Sequence, residues 1–135
     1  MPTNPPDVEP LRVRKATMLI FYGYNKCQTC KNAKKFLETL GCSVKEVDIT
    51  MEPPPLAELT ELVRKSRHPY TDFLNRSGIL YRKRKMAEKV KTAPQQEIMA
   101  DLASEGRLLK RPIVTDGKQV TVGFKLEEFK QVWGS

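Results

Sequence analysis

The fold class can be inferred from residues 18–41, which read MLIFYGYNKCQTCKNAKKFLETLG. The first five residues of this stretch form a continuous apolar run that ends at Gly23, which is typical of a strand buried on both faces. Further along the stretch, apolar residues recur at spacings of three and four residues, and this pattern ends at Gly41. These residues are Ala33, Phe36, Leu37 and Leu40. This spacing predicts an amphipathic helix. The stretch is therefore a strand, a turn with two cysteines, and a helix.

The rest of the chain extends this unit into an α/β domain. The remaining predicted elements are, in order, a strand at 43–49, a helix at 56–66, helical periodicity over about 69–104, a hairpin of strands 112–115 and 119–122, and a helix at 126–133. Asp116 and Gly117 separate the two β-branched runs, which is a strong hairpin signal. This order predicts a thioredoxin-like fold, with an all-helical insertion at about 69–104 between its two halves.

Length and composition favour one globular domain. The chain has 135 residues, 39% hydrophobic and 30% charged, and no stretch approaches the roughly 18 consecutive apolar residues of a membrane span. Three cysteines, two of them in one motif, are too few for a disulfide framework, which favours a reducing, cytoplasmic setting. We predict a domain at 17–135, a flexible proline-rich tail at 1–16, and no membrane association.

Basic residues exceed acidic ones, 24 to 16, so the formal net charge is +8. Such a balance favours polyanions or acidic protein surfaces as partners. Six of the ten residues at 82–91 are basic, with Glu88 as the one acid. This cluster is either a solvated helix face or a docking patch, and direct nucleic-acid binding is not expected. The candidate partner-binding residues are Arg82, Lys83, Arg84 and Lys85.

The Cys-Gln-Thr-Cys motif at 27–30 follows the first strand and opens the helix, the context of a redox pair. A thiol there faces unpaired backbone N–H groups and the positive end of the helix dipole, which can lower its pKa from about 8.5 to about 3.5–7.5. Lys26 and Lys31 add positive potential beside it. Cys27 is therefore the predicted nucleophile, and Cys30, one turn on, can form a disulfide with it.

Other interpretations of the cysteines stay open at this point. The pair could be structural, or its oxidation could serve as a sensor that changes a surface recognised by a partner. The chain has enough candidate ligands for one zinc ion, namely Cys27, Cys30, Cys42 and His68. Their spacing along the chain is irregular, however, and we predict no metal site. Cys42 is interpreted as a small core residue and His68 as an ordinary loop residue.

Several short motifs in order resemble the ArsC/Spx-like family of thioredoxin-fold proteins. They are residues 24–34, Asn75-Arg76-Ser77-Gly78, Tyr81-Arg82, Leu109-Lys110-Arg111-Pro112-Ile113 and Val122-Gly123-Phe124. The resemblance covers about residues 18–133 and is closest to the Spx-like branch. Members include glutathione-linked arsenate reductases and Spx, a redox-sensing regulator that binds the α-subunit of RNA polymerase. The resemblance implies that Cys27 is the redox cysteine and Cys30 its partner.

The same resemblance assigns roles to Arg111 and Pro112. It implies that Pro112 is cis and faces the cysteine motif, so that Arg111 supplies a fixed charge to the thiolate or to an oxyanion. Arsenate reductases of this family bring further arginines to the oxyanion. In our alignment these positions fall near Thr71 and near Gly123 or Phe124, where this chain has no arginine. A bound dianion would therefore lack most of its charge partners.

These observations lead to one principal hypothesis and two alternatives. The principal one is a cytosolic thiol-disulfide oxidoreductase that uses Cys27 and Cys30, with no bound cofactor and with glutathione or another thiol as co-substrate. The first alternative is an Spx-like redox-sensing regulator that binds RNA polymerase. The second is an enzyme similar to glutathione-linked arsenate reductases.

Overall fold

Strands and helices alternate in the first half of the domain. The computed structural model of the protein describes residues 18–134, so the tail predicted at 1–16 lies outside the described residues. The elements of the first half are β1 (Met18–Gly23), α1 (Gln28–Thr39), β2 (Ser43–Asp48) and α2 (Leu56–Ser66).

Helices precede a short hairpin in the second half. The elements are a 3₁₀ turn (Tyr70–Phe73), α3 (Ile79–Lys83), α4 (Met86–Thr92), α5 (Gln95–Ser104), a second 3₁₀ turn (Gly106–Leu108), β3 (Ile113–Thr115), β4 (Val120–Val122) and α6 (Leu126–Trp133). Within the described range, no helix is long and apolar enough to cross a membrane.

The four strands form one mixed sheet in the order β2-β1-β3-β4. β1 pairs in parallel with β2 and antiparallel with β3, and β3 pairs antiparallel with β4. Tyr22 on β1 lies opposite Ile113 on β3, which in turn lies opposite Val122 on β4. A β-α-β unit joined to a hairpin and a final helix, with the helices α3 to α5 between them, confirms the predicted thioredoxin-like fold.

Two hydrophobic clusters lie on opposite faces of this sheet, because alternate side chains of a strand point to opposite sides. On one face Leu19 and Phe21 pack with α1 and α6, through residues such as Leu37 and Phe129. On the other face Tyr22 belongs to the larger cluster built by α2, α5 and the hairpin. The sheet thus holds the α1 start, which carries the cysteines, at a fixed position.

β1 departs from its predicted burial at its beginning. Met18 is 55% exposed and Ile20 is 36% exposed, although Tyr22 on the same face is buried. The helices that cover this face cluster around Tyr22 and leave the start of the strand open. The prediction of burial on both faces is therefore wrong for these two residues. A continuous apolar run does not reveal how far the covering helices extend.

Candidate active site

Cys27 is the N-cap residue of α1, with an extended backbone conformation and a half-buried side chain. Its Sγ accepts a hydrogen bond from the Cys30 backbone N–H, with 3.3 Å between nitrogen and sulfur. Such a bond satisfies one of the N–H groups that the start of a helix leaves without an intrahelical partner. The sulfur therefore lies against the first turn of the helix and remains accessible from one side.

Cys30 lies in the first turn of α1 and is buried. Burial, together with a hydrogen bond from this thiol to Cys27, raises the pKa of Cys30 to about 12. Both cysteines are free thiols in this structure. The pair is thus asymmetric, with an accessible sulfur at the helix start and a protonated, buried sulfur one turn along.

The pKa of Cys27 moves in the opposite direction. Partial burial by itself would raise it, but the S–H and backbone N–H of Cys30 and the Arg111 guanidinium together outweigh burial and lower it. Each of these groups donates to the sulfur or carries positive charge, so each favours thiolate over thiol. Cys27 is therefore the better nucleophile of the pair at neutral pH.

Arg111 reaches this sulfur from the loop before β3. The Arg111–Pro112 peptide bond is cis, as the family resemblance implies. The Arg111 guanidinium carbon lies 5.3 Å from the centre of the Tyr24 ring, a cation–π contact that keeps the side chain near the cysteine turn. Pro112 itself is buried, and its carbonyl accepts a hydrogen bond from Gly123 at 2.8 Å.

Lys26 and Lys31 flank the motif and are both exposed. The groups that lower the pKa of Cys27 belong to Cys30 and Arg111. The sequence assigned the two lysines a supporting role because they adjoin the cysteines in the chain. The supporting role of the two lysines stays a prediction, whereas Arg111 acts on the sulfur from a distant loop.

We expect Arg111→Met to raise the pKa of Cys27, since it removes both a hydrogen bond and a positive charge. Alkylation by iodoacetamide at pH 6.5 should slow by about three- to tenfold, because less thiolate is present. The matched control is Lys31→Met, which removes a neighbouring exposed charge. Equal alkylation rates in these two variants would show that Arg111 does not act on the sulfur.

Cys27 opens into a cleft of about 300 Å³, which we call the thiolate cleft. Its polar lining comprises Thr29, Asn75, Ser77, Lys110, Arg111 and Lys125. A second cleft of about 320 Å³ shares Asn75, Ser77 and both lysines and extends to His68. Cations and neutral donors predominate beside Cys27, so the cleft suits an anionic group.

Lys110 and Lys125 are site residues that the sequence reasoning missed. A side-chain carbon built on Gly123 would lie 2.7 Å from Lys110 Cε, so the lysine passes directly over this glycine. The chain has no arginine at position 71 or 123, although Arg76 donates a hydrogen bond to the Thr71 carbonyl at 2.9 Å. Lys110 and Lys125 bring positive charge to the thiolate cleft itself. Lys110 could have been identified from the sequence, since it adjoins Arg111 in the motif at 109–113.

The four candidate partner-binding residues lie at the end of α3 and just after it. Arg82, Lys83, Arg84 and Lys85 are all exposed, and Lys85 has a left-handed backbone with φ of 53°. Lys89, in the same basic cluster, differs because it pairs with Asp101 at 2.6 Å. The exposed cations of the cluster are therefore those at 82–85 and Lys91, with Lys89 held by Asp101 between them.

The zinc interpretation finds no support. Between residues 18 and 134 there is no group of three or more His, Cys, Asp or Glu side chains that could hold a metal ion. Cys42 is half-buried, with its Sγ 3.7 Å from the Trp133 carbonyl oxygen, and burial raises its pKa. It packs against the cluster around α1 and α6, which agrees with a small core residue.

His68 is more than the ordinary loop residue that the sequence suggested. Its Nδ1 lies 2.9 Å from Asp72 Oδ2, and its Nε2 lies 2.9 Å from Glu128 Oε2. Hydrogen bonds to Glu128 and Asp72 raise the pKa of the imidazole. The ring therefore ties the first 3₁₀ turn to α6, across 60 residues of sequence. A partner so distant in the chain leaves no local pattern.

This contact predicts a pH-dependent stability. The folded-state pKa of His68 is raised above its ordinary value of 6.5, so its stabilising effect is fully present below pH 6.5 and is lost as the pH rises through the folded value. We expect the melting temperature of wild type to exceed that of His68→Gln at pH 5.5, with the gap narrowing by pH 8.5. His68 is the only histidine in the chain, so no other imidazole contributes. A gap that widens with pH would contradict this prediction.

Comparison with known proteins agrees with this geometry. The ArsC family model matches residues 22–132. The uncharacterized protein YusI of Bacillus subtilis (strain 168) is 44% identical over 115 residues, which cover 85% of this chain and 98% of YusI. The global transcriptional regulator Spx of Listeria innocua is 25% identical over 114 residues, covering 84% of this chain and 86% of that protein.

A solved structure extends the comparison to the fold. The structure of a possible arsenate reductase from Streptococcus mutans UA159 has a TM-score of 0.75 and 31% identity, covering 84% of this chain and 98% of that one. Sequence and structure together confirm the predicted resemblance and relate this protein to thiol-redox proteins. The chain belongs to the ArsC family.

Proposed function

We propose that this protein is a thiol-disulfide oxidoreductase of the cytoplasm in which Cys27 is the nucleophile and Cys30 resolves the intermediate. The observation that carries the proposal is the asymmetry of the pair. Cys27 is accessible at a helix start with a lowered pKa, and the buried Cys30 has a pKa of about 12. Cys27 can attack as a thiolate, and Cys30 stays protonated until the mixed disulfide has formed.

The reaction has two exchange steps. The Cys27 thiolate forms a bond with one sulfur of a substrate disulfide, and the other substrate sulfur leaves as a thiolate. Cys30 then loses its proton to that thiolate or to solvent and attacks Cys27 Sγ, which releases the second substrate sulfur as a thiolate and leaves a 27–30 disulfide. The hydrogen bond to the Cys27 thiolate, which helps to raise the pKa of Cys30, is gone once Cys27 is in the mixed disulfide.

A thiol reductant must return the pair to the dithiol form. We propose glutathione or another small thiol for this step, with no cofactor bound to the protein. Two thiols would each lose a proton and together transfer two electrons to the 27–30 disulfide, forming their own disulfide. Lys110 and Lys125 in the thiolate cleft support this proposal, since the carboxylates of such a thiol could pair with them.

The Cys30→Ser variant tests the proposal. It keeps the nucleophile and removes the resolving sulfur, so incubation with glutathione disulfide should yield a stable glutathione adduct on Cys27. Peptide mass spectrometry of wild type should instead show the 27–30 disulfide. The control is Cys42→Ser, which should behave as wild type. An adduct on Cys42 alone, or no adduct in Cys30→Ser, would reject the proposed chemistry.

A second candidate is a redox-controlled regulator that binds RNA polymerase. The four exposed cations at 82–85 and the similarity to Spx favour it. A pull-down with the isolated C-terminal domain of the polymerase α-subunit, with and without oxidant, separates the two functions. Binding in one redox state only would favour the regulator, and absence of binding in both states would remove it.

A further inference from the structure

A cleft of about 530 Å³ lies beside the thiolate cleft and shares Asn75 and Arg111 with it. We call it the α3 cleft, because Ile79, Leu80 and Lys83 of α3 line one side. Tyr24 and Thr50, from the turns after β1 and β2, also contribute to its lining. Since Arg111 acts on the Cys27 sulfur, a molecule bound in this cleft is adjacent to the reacting atoms.

Ile79 gives this cleft an exposed apolar side chain on an otherwise highly charged surface. It is the first residue of α3 and is 72% exposed, whereas Leu80 beside it packs partly against the core. Exposure of a large aliphatic side chain next to a cleft leaves apolar surface that a partner can cover favourably. The cleft therefore offers one apolar contact within reach of several cations.

The charges around the cleft are predominantly positive. Lys83 lines it and adjoins Arg82, Arg84 and Lys85, and none of these four forms an ion pair in the described part of the chain. Arg107 also lines the cleft but is held by Glu105 at 2.9 Å. Hydrogen bonds from Thr50 lower the pKa of Asp48, and Arg111 adds to this effect, so this carboxylate already has partners. Among the described residues an acidic partner thus meets four cations that form no ion pair. Glu105 competes for them, since its pKa is lowered by Arg107 and also by Arg84.

We propose that the α3 cleft docks an acidic protein segment that carries an apolar side chain and lies next to the substrate disulfide. Carboxylates would pair with Lys83 and its basic neighbours, and the apolar side chain would cover Ile79. This arrangement would present the disulfide to Cys27 past Arg111. The proposal rests on the proposed exchange function and names its substrate class, a disulfide-bonded protein.

An acidic protein segment fits this surface better than a nucleic acid does. Phosphates would satisfy the cations but would leave Ile79 without an apolar partner. The exchange reaction also requires a sulfur that a polypeptide supplies through cysteine. The chemistry is the two-step exchange already described, so no further oxidant or reductant is involved.

Two disulfide-containing peptides of equal length test the docking. Both carry one leucine near the disulfide, one with glutamates around it and the other with lysines in their place. Wild-type protein should reduce the acidic peptide at least about fivefold faster, and the ratio should fall with added salt because the attraction is electrostatic. Ile79→Ser and Lys83→Glu should both reduce the rate with the acidic peptide.

The matched controls carry the same substitutions elsewhere. Leu56→Ser removes an exposed aliphatic residue at the start of α2, and Lys91→Glu reverses an exposed charge on α4. If either control lowers the rate as much as its counterpart in the α3 cleft, the docking proposal is wrong. Equal rates for the acidic and basic peptides would overturn it as well. In both outcomes the exchange function would still stand.

A binding measurement separates failure of the docking from failure of the exchange. A fluorescent acidic peptide without cysteine should bind wild type and bind Ile79→Ser and Lys83→Glu more weakly in anisotropy titrations. Such binding without reduction of any disulfide would reject the exchange function and keep the docking surface. Two results together would identify a general polyanion-binding patch: an oligonucleotide of equal charge displaces the peptide, and Ile79→Ser leaves peptide binding unchanged. They would overturn the proposal that the cleft binds an acidic protein segment.

Discussion

Replacing Cys27 with serine is expected to abolish disulfide exchange while the fold remains. The oxygen of serine can accept the same hydrogen bond from the Cys30 N–H, and serine is among the preferred N-cap residues. It cannot form a disulfide, so the rate of reduction of a fluorogenic disulfide should fall by about a thousandfold or more. Circular dichroism should give a melting temperature close to that of wild type.

Cys42→Ser is the control, since it removes the cysteine that packs near Trp133 and lies outside the proposed pair. This variant should keep the exchange rate of wild type. Substantial activity in Cys27→Ser would show that another sulfur is the nucleophile. Loss of the folded state in the same variant would show that the Cys27 sulfur contributes more to stability than an N-cap contact does.

Gly106→Ala should destabilise the fold more than any other single-methyl change at a glycine in the described chain. A side-chain carbon built on Gly106 would lie 1.6 Å from the Ile49 carbonyl oxygen, far inside contact distance. The Ile49 backbone cannot easily move away, because its N–H donates to the Gly23 carbonyl at 3.0 Å and its side chain is buried. We expect a loss of about 3 kcal/mol or more in the free energy of unfolding, measured by urea denaturation.

Gly106→Ala should also disturb the geometry of the candidate active site. Gly106 begins the 3₁₀ turn at Gly106–Leu108, and the Leu108 carbonyl accepts a hydrogen bond from Asn75 at 2.8 Å. Asn75 lines the thiolate cleft, the cleft that extends to His68 and the α3 cleft. The matched control is Gly41→Ala, where a built side-chain carbon meets no non-neighbouring atom of residues 18–134 within 4 Å and only the φ of 84° opposes the change. It should cost about 1 kcal/mol. Equal costs at both glycines would show that the Gly106 contact relaxes freely.

Sequence periodicity predicts most of the elements within one or two residues. The helix predicted at 56–66 coincides with α2, because its apolar spacing and the preceding prolines are local signals. The hairpin is likewise local, since Asp116 and Gly117 lie between its strands. Burial of β1 was overestimated, because an apolar run cannot tell whether a helix covers both faces along its whole length.

The proposed nucleophile could be predicted from sequence, but most of its surroundings could not. Cys27 and Cys30 share one helical turn, so their relation follows from local geometry. Arg111 was found through the resemblance of its motif to a family and not through any spacing. Lys110 could have been found beside Arg111 in the same motif, whereas Lys125 comes to the thiolate cleft only through the folded structure.

From the amino-acid sequence we could predict the strand-turn-helix unit, the position of Cys27 at a helix start and the family, because each depends on residues close together or on ordered motifs. The contacts between side chains far apart in the chain are set by the folded structure. Arg111 approaches Cys27, His68 joins Glu128, and Ile79 stays exposed beside Arg111. These relations arise from how the sheet and its helices pack, and packing of elements far apart in the chain leaves no local pattern to find.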